Sequence, residues 1–213
     1  YIILKKDTIG KNEQQNKILE ILRKNKKVKK SELVNISSSS LNTLIKNGYL
    51  EEKKEEIYRL NDNTNIVKEN INLTNDQKLA IEKINNTNNF KTYLLHGVTG
   101  SGKTEVYLNT IEKVLKSKKE AIVLVPEISL TPQLVETFKK RFGSQIAILH
   151  SNLSMGEKYD EWRKIERKEV SVVIGARSAI FAPLTNLGII IIDEEHSSTY
   201  KQENNPKYNT IDI

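Results

Sequence analysis

GVTGSGKT, residues 97–104, is the stretch that decides the fold of this chain of 213 residues. It contains the full pattern G-x-x-x-x-G-K-T, between the apolar run Thr92–His96 and a helical pattern at Lys103–Lys116. When such a loop joins a strand to a helix, its backbone N–H groups face a concavity that holds phosphate oxygens, and the helix dipole adds to the attraction. The pattern predicts a nucleotide-binding loop, with a chance glycine-rich turn as the weaker alternative.

The side chains of this loop have different expected roles. The ammonium group of Lys103 can reach the β- and γ-phosphates of ATP, and the hydroxyl of Thr104 can bind Mg²⁺. We therefore expect ATP and Mg²⁺ as cofactors. The other loop residues expected to contact ATP are Gly97, Thr99, Gly100, Ser101 and Gly102.

Four more apolar, β-branched runs follow the loop, and they lack the period-two alternation of half-buried strands. Helical patterns separate them. This order predicts an α/β fold, with a parallel sheet covered by helices on both faces. The further predicted strands are Ala121–Val125, Ile146–Leu149, Val170–Ile174 and Ile189–Ile192, and the further predicted helices are Pro132–Phe142 and Gly156–Arg167.

The last of these strands ends in the acidic sequence DEEH, residues 193–196. An acid at the carboxyl end of a buried strand can hold Mg²⁺ opposite a phosphate loop, and Asp193 fits that role. Glu194 is placed to orient or deprotonate an attacking water. An ordinary acidic loop would explain the sequence alone, but the phosphate loop upstream favours a catalytic pair. Lys103, Asp193 and Glu194 are therefore the predicted catalytic residues.

A second polar segment, LTNDQ at residues 73–77, precedes a further helical pattern. Thr74 is a good N-cap for that helix. Gln77 carries both a donor and an acceptor, as recognition of the adenine edge requires. From the residues alone, the plain helix cap is the favoured interpretation.

Residues 1–62 have the pattern of a small winged-helix domain, in which three helices precede a β-hairpin. Ser31 is the expected N-cap of the second helix. A polar stretch at residues 63–72 predicts a linker, and residues 73–213 form the α/β domain. The predicted elements of the first domain are helices at Asn12–Lys24, Lys30–Asn35 and Ser38–Lys46 and strands at Tyr49–Glu52 and Glu56–Leu60.

The charge of the chain is concentrated in the first domain. Lys and Arg outnumber Asp and Glu by 34 to 27, and most of the excess lies in residues 1–72. The third helix would expose polar residues suited to phosphate contact, whereas the expected wing is acidic. Weak, nonspecific DNA binding and a protein-binding role both remain open. The residues expected on the exposed helix face are Ser39, Ser40, Asn42, Thr43 and Lys46.

Composition excludes several classes of protein. The chain contains no Cys, so it has neither a disulfide framework nor a thiolate zinc site. Its apolar runs, such as Ile189–Ile192, are far shorter than the ~20 residues that cross a bilayer, so no membrane partner is expected. The chain begins at Tyr1 rather than Met, which favours a piece of a longer protein.

The ordered set of Gln77, the phosphate loop and DEEH resembles lobe 1 of superfamily 2 helicases, and more closely the PriA family of primosomal replication-restart helicases. The resemblance covers residues 73–213 densely. It implies a RecA-like P-loop parallel sheet, preceded by a small winged-helix domain, and an ATP contact for Gln77. The matching stretches are LLHGVTGSGKTEVYL (94–108), VLVPEISLTPQ (123–133), ILHSNLS (148–154), GARSAIFAP (175–183) and IIDEEHSSTYKQE (191–203).

The resemblance also implies an ATP-dependent 3′→5′ DNA helicase that reloads the replication machinery at stalled forks. Two segments, at 126–133 and 175–178, would face single-stranded DNA, and an aromatic-rich loop after DEEH would couple DNA binding to hydrolysis. Asn209 and Ile211 replace basic residues that usually end this loop. The residues to which the resemblance assigns DNA binding or coupling are Pro126, Thr131, Gln133, Arg177, Ser178, His196, Tyr200, Lys201 and Tyr208.

Partners and location follow from the same resemblance. They are single-stranded and forked DNA, primosome proteins and single-stranded DNA-binding protein, in the bacterial cytoplasm at the nucleoid. The second helicase lobe with its arginine fingers and the zinc-binding region, hence Zn²⁺, are expected outside this chain. The chain alone should therefore turn over ATP very slowly. The alternatives are another superfamily 2 translocase, of restriction or repair type, and a non-hydrolysing DNA- or protein-binding module.

Overall fold

The computed structural model describes residues 1–54, 58–60, 66, 72–87 and 89–213. The chain divides into two compact units, Tyr1–Ile57 and Tyr58–Ile213. The expected linker at residues 63–72 lies almost wholly outside the described residues. No helix of the described residues has the length and apolar character that a membrane span needs.

The first unit packs two helical segments against a short β-ladder. Asn12 caps the first helix by accepting a hydrogen bond from the Gln15 main chain at 2.8 Å. The core of the unit is formed by apolar side chains such as Ile18, Leu19 and Leu41, all fully buried. The elements in chain order are β1 (Ile2–Leu4), α1 (Glu13–Lys24), α2 (Lys30–Lys46) and β2 (Leu50–Glu52).

Helix α2 is two helices joined at Ser37, whose backbone is extended (φ −168°, ψ 113°). The Ser37 hydroxyl accepts a hydrogen bond from the Ser40 main chain at 3.2 Å, so it caps the second half. This break agrees with the two predicted helices. The Ser31 cap was wrong, because α2 begins after Lys29 without a side-chain cap. Ser40 was also misplaced: it is buried rather than exposed.

The first unit has a strand pairing that was missed from the sequence, while the predicted hairpin stays a prediction. Strand β2 pairs antiparallel with β1, which was not predicted, and Ile2 of β1 is fully buried. The chain start supplies the ladder because it carries apolar side chains into the same core. Part of the predicted strand Glu56–Leu60 lies outside the described residues, and Tyr58–Leu60 form no strand.

The second unit contains a four-stranded parallel sheet, so the predicted α/β fold is confirmed. Its strands lie in the spatial order Ile146–Leu149, Val172–Gly175, Glu120–Leu124 and Leu187–Ile192. A short antiparallel pair of strands follows the sheet in the chain. The elements are α3 (Asn75–Asn85), α4 (Lys103–Lys116), β3 (Glu120–Leu124), α5 (Pro132–Phe142), β4 (Ile146–Leu149), α6 (Met155–Glu166), β5 (Val172–Gly175), β6 (Leu187–Ile192), β7 (Lys201–Gln202) and β8 (Tyr208–Asn209).

Each face of the sheet has its own core, which explains why the strands lack alternation. On one face, α4 and α5 cover alternate strand residues such as Val123 and Ile174. On the other face, α6 and the segment around Ala179 cover the intervening residues, such as Ile122 and Val173. Both sets are apolar because both are buried.

The predicted strand Thr92–His96 was wrong. It has no strand pairing within the described sheet, and Leu94 is 75% exposed. A strand exists only where a neighbour completes its ladder of hydrogen bonds. The apolar run alone therefore did not establish that a partner strand was present.

Candidate nucleotide-binding site

The phosphate loop is shaped by two glycines in the left-handed region. Gly100 and Gly102 both have a backbone φ of +79°, a conformation that residues other than glycine adopt only at an energetic cost. Gly102 immediately precedes α4, and no side chain caps this helix end. A Cβ at Gly102 would collide with the Gln77 amide. The main-chain N–H groups at the start of α4 therefore have no side-chain cap, and such groups can bind an anion.

Lys103 reaches back across the loop. Its ammonium group donates to the main-chain oxygen of Gly97 at 2.7 Å and to that of Val98 at 3.1 Å. The Ser101 main chain also donates to the Val98 oxygen, at 3.2 Å. The positive charge is thus held inside the curve of the loop, where phosphate oxygens would compete for it.

Gln77 takes part in the helix cap that the sequence favoured, and it also contacts the phosphate loop. Its Oε1 accepts from the Thr74 main chain at 2.9 Å and completes a capping box with the Thr74 hydroxyl. Its Nε2 donates to the Ser101 main-chain oxygen at 3.1 Å. Helix α3 is thereby tied to the phosphate loop by a single side chain.

Asp193, at the end of β6, is held through its main chain and its carboxylate. Its N–H donates to the Leu124 main-chain oxygen at 2.9 Å, and its own main-chain oxygen accepts from the Tyr200 hydroxyl at 2.6 Å. Its Oδ1 accepts from the Tyr107 hydroxyl at 3.0 Å. Because Tyr107 belongs to α4, the helix that follows the phosphate loop contacts the acidic end of β6.

Both tyrosine hydroxyls stay protonated over the physiological range. Burial raises the pKa of Tyr107, and the negative charges of Asp193 and Glu194 raise it further. Burial and the same two carboxylates also raise the pKa of Tyr200. Each hydroxyl can therefore act as the donor toward Asp193.

Glu194 is exposed and has a backbone φ of +49°, which a non-glycine residue rarely adopts. Such a conformation costs on the order of 1 kcal/mol and is concentrated at functional sites. Its Oε2 lies 3.5 Å from the Ser129 hydroxyl, which belongs to the 126–133 segment. The side chain of Glu194 therefore contacts that segment.

The 126–133 segment links β3 to α5. Pro126 is buried, whereas Thr131 and Gln133 are exposed. The Thr131 hydroxyl accepts from the Leu134 main chain at 3.3 Å and so caps α5. Gln133 is thus presented to solvent at the start of a helix whose position is fixed by its cap.

The 175–178 segment is tied to the loop after DEEH. The Arg177 guanidinium donates to the main-chain oxygens of Lys201, at 3.0 Å, and Thr199, at 3.4 Å. Ser178 is exposed beside it. A Cβ at Gly175 would collide with the Leu149 main-chain oxygen, so glycine allows the close approach of β5 to β4.

The aromatic residues after DEEH have different environments. Tyr200 is 1% exposed, so in this structure its ring is not offered to a base. Tyr208 is half-buried and packs edge-on against Phe181, with ring centroids 5.1 Å apart. Lys201 and Tyr208 line a cleft of about 660 Å³ at the β7–β8 ladder. His196 is exposed.

The residues present fit a nucleotide-bound Mg²⁺. Tyr107 occupies Oδ1 of Asp193, while the second carboxylate oxygen and the Thr104 hydroxyl are oxygen donors of the kind that Mg²⁺ prefers. Within the described ranges, no group of three or more His, Cys, Asp or Glu could hold a metal. These two residues would hold the ion together with phosphate oxygens, as is usual for Mg²⁺.

Two residues of this site were missed from the sequence. Tyr107 is four residues after Lys103, so both lie on one face of α4, and this spacing was the available signal. Ser129 gave no signal of its own. Both contacts join residues that are 65 or more positions apart in the chain.

Comparison with known proteins extends these findings. A family model described as "Type III restriction enzyme, res subunit" matches residues 70–212. The replication restart protein PriA of Bacillus subtilis is 60% identical over 182 residues, covering 83% of this chain and 23% of that protein. PriA of Synechocystis is 47% identical over 167 residues, covering 78% of this chain and 20% of the relative.

A third relative also includes most of the first unit. PriA of Chlamydia trachomatis is 40% identical over 212 residues, covering 92% of this chain and 27% of that protein. The chain thus spans about a quarter or less of the length of these curated relatives.

Proposed function

Because the chain belongs to the family described as the type III restriction enzyme res subunit and is similar to replication restart proteins over most of its length, we propose that it is the nucleotide-binding lobe of an ATP-dependent DNA helicase. The observation that carries the proposal is the contact between α4 and Asp193. Through Tyr107, the helix that carries Lys103 and Thr104 reaches the acid at the end of β6. Phosphate-binding and metal-binding groups then belong to one site.

In this proposal the loop residues bind ATP, and Gln77 contacts the adenine. Lys103 exchanges its two main-chain partners for phosphate oxygens. Thr104 and Asp193 hold Mg²⁺, which neutralises phosphate charge when it is bound. Glu194, exposed beside Ser129, orients the attacking water or takes its proton.

The same geometry gives DNA two routes to the nucleotide site. The 126–133 segment contacts Glu194 through Ser129, and the 175–178 segment contacts the loop after DEEH through Arg177. A phosphate that binds Arg177 would compete with the main-chain oxygens of that loop. We infer that DNA bound along these segments changes the position of the Asp193 and Glu194 carboxylates.

We propose a specific role for the whole protein as well. The whole protein would move 3′→5′ on single-stranded DNA, recognise stalled forks, and assemble the primosome with single-stranded DNA-binding protein as a partner, at the bacterial nucleoid. Residues 1–62 would act as a winged-helix module that contacts DNA, and residues 73–213 as the first motor lobe. The similarity to PriA over 92% of the chain supports this arrangement.

The chain by itself should hydrolyse ATP very slowly. Transition-state charge on the phosphates needs an arginine from a second lobe, which in related enzymes contributes about 10³–10⁵ in rate. Strong DNA-stimulated hydrolysis of ATP by residues 1–213 alone would contradict the requirement for an arginine from a second lobe.

The proposal is tested with the full-length protein. We expect Lys103→Ala to reduce DNA-stimulated ATP hydrolysis at least 100-fold, because the phosphate charge loses its partner. Lys116→Ala is the matched control: this lysine lies at the other end of the same helix and is exposed, and its loss should leave the rate within twofold. Equal rates for Lys103→Ala and the unaltered protein would refute the nucleotide site.

The family description itself favours a second candidate, a translocase of restriction type. Such a motor uses ATP on duplex DNA without separating its strands. Measuring strand separation on a forked substrate, alongside ATP hydrolysis on intact duplex, distinguishes the two. Hydrolysis on duplex with no unwinding of the fork would favour the translocase.

A further inference from the structure

Tyr107 lies one helical turn after Lys103 on α4. Residues four positions apart share a helix face, so its side chain is directed to the same side of α4 as the phosphate-binding lysine. Its hydroxyl donates to Oδ1 of Asp193 at 3.0 Å, and the ring packs against the core on that face of the sheet. The hydrogen bond is therefore made by a side chain whose own position is fixed by packing.

Asp193 has little freedom apart from its carboxylate. Its main chain is held by Leu124 on the neighbouring strand and by the buried hydroxyl of Tyr200. The remaining torsions are those that rotate the carboxylate, and the Tyr107 bond restrains them. With Oδ1 engaged, the orientation of Oδ2 is set relative to the first turn of α4, where Thr104 lies.

We infer that Tyr107 is a positioning residue for the metal site, which orients the Asp193 carboxylate so that Oδ2 faces the Mg²⁺ of a bound nucleotide. The inference rests on the proposed function and adds a residue to it. Residues that orient a metal ligand through a hydrogen bond typically raise the metal affinity by about 10–100-fold. Because α4 carries Lys103, Thr104 and Tyr107, one rigid helix would align the phosphate, the metal and the carboxylate.

The test measures Mg²⁺ rather than hydrolysis. In the full-length protein, binding of a fluorescent ADP analogue is followed as Mg²⁺ is titrated. We expect Tyr107→Phe to raise the Mg²⁺ concentration at half-maximal binding about tenfold. Nucleotide affinity without Mg²⁺ should stay within twofold, because the ring remains in place and only the hydroxyl is lost.

Two further variants separate positioning from general damage. Tyr159→Phe on α6 removes an exposed hydroxyl from a ring that is 63% exposed, and it should leave the Mg²⁺ titration unchanged. In an Asp193→Ala background, Tyr107→Phe should have less than a twofold effect, since the carboxylate it orients is gone.

Two results would contradict a positioning role for Tyr107. An unchanged Mg²⁺ titration for Tyr107→Phe overturns the inference. So does an equal loss of nucleotide affinity with and without Mg²⁺, which would indicate a purely structural role. Failure of the unaltered protein to bind the nucleotide at any Mg²⁺ concentration refutes the proposed function itself.

Discussion

The hydroxyl of Tyr200 lies 2.6 Å from the main-chain oxygen of Asp193 and 3.0 Å from that of Leu124. Tyr200 follows DEEH by a few residues, and its ring is buried against the sheet. The segment after the acidic motif is therefore anchored at the ends of β3 and β6. If this segment moved, the movement would be transmitted to Asp193 through the hydrogen bond from the Tyr200 hydroxyl.

Removing that hydroxyl should destabilise the second unit. Tyr200→Phe keeps the ring in its core but leaves the Asp193 main-chain oxygen without its donor. We expect the free energy of unfolding to fall by about 1–2 kcal/mol. Urea unfolding followed by the fluorescence of Trp162, the only Trp of the chain, measures the change.

Tyr208→Phe is the control for that experiment. Its ring packs against Phe181, and its hydroxyl makes no hydrogen bond within the part of the chain that the structure describes, so stability should change by less than about 0.5 kcal/mol. If both variants lost the same free energy of unfolding, the hydrogen bond to Asp193 would make no specific contribution to stability.

Arg177 should control how firmly the loop after DEEH is held. In Arg177→Ala the main-chain oxygens of Thr199 and Lys201 lose a charged donor. We expect trypsin to cut after Lys201 or Lys207 several-fold faster, because cleavage needs local opening of the backbone. Lys116→Ala, on α4, should leave the cleavage rate unchanged. A rate for Arg177→Ala that matches the unaltered chain would contradict this anchoring role.

Stability of the second unit should depend on the ionisation of Asp160. Burial raises the pKa of this carboxyl, but hydrogen bonds from the Arg59 main chain and guanidinium, together with nearby positive charge, outweigh it and hold the pKa below its usual value. A depressed folded-state pKa stabilises the fold above the unfolded value of about 3.9. That stabilisation is lost as the pH falls through the folded-state pKa.

We therefore expect the free energy of unfolding to decrease as the pH falls below about 4. Asp160→Asn should lower stability at pH 7 by about 1–3 kcal/mol and flatten this acid dependence. Glu82→Gln, an exposed position on α3, should leave the slope unchanged. Trp162 fluorescence measured across pH provides the test, and an unaltered slope in Asp160→Asn would count against it.

The break in α2 should depend on one hydroxyl. Ser37→Ala removes the cap that accepts from the Ser40 main chain, and we expect a loss of about 0.5–2 kcal/mol in the first unit. Ser38→Ala is a neighbouring control, since Ser38 is exposed and caps no helix. Thermal unfolding followed by helical circular dichroism compares them. Equal melting of the two variants would show that Ser37 does not hold the break.

Short-range signals predicted much of the second unit. The bounds of α4, α5 and β4 agree with the sequence interpretation. Gly102 before α4 and Thr131 with Pro132 at the start of α5 act within one turn, so their effect depends on nearby residues alone. The location of the phosphate loop follows from the same local chemistry.

Strand pairing could not be predicted in the same way. The run Thr92–His96 has three consecutive apolar residues at its centre, yet it has no described partner in the sheet, while the start of the chain supplies β1. A strand is completed by hydrogen bonds from residues far away in the chain. The residue types of a segment do not indicate which distant segment will pair with it.

The sequence by itself determined that this chain carries a phosphate loop, an acidic strand end and an α/β fold. The two motifs depend on residues within a few positions of one another, and the fold class follows from the order of local strand and helix patterns. Only the tertiary structure decided which side chains hold Asp193 in place. Tyr107 is 86 residues before it, and Tyr200 follows it across a turn. Both contacts exist because the packing of α4 and of the loop after DEEH brings two hydroxyls to one residue.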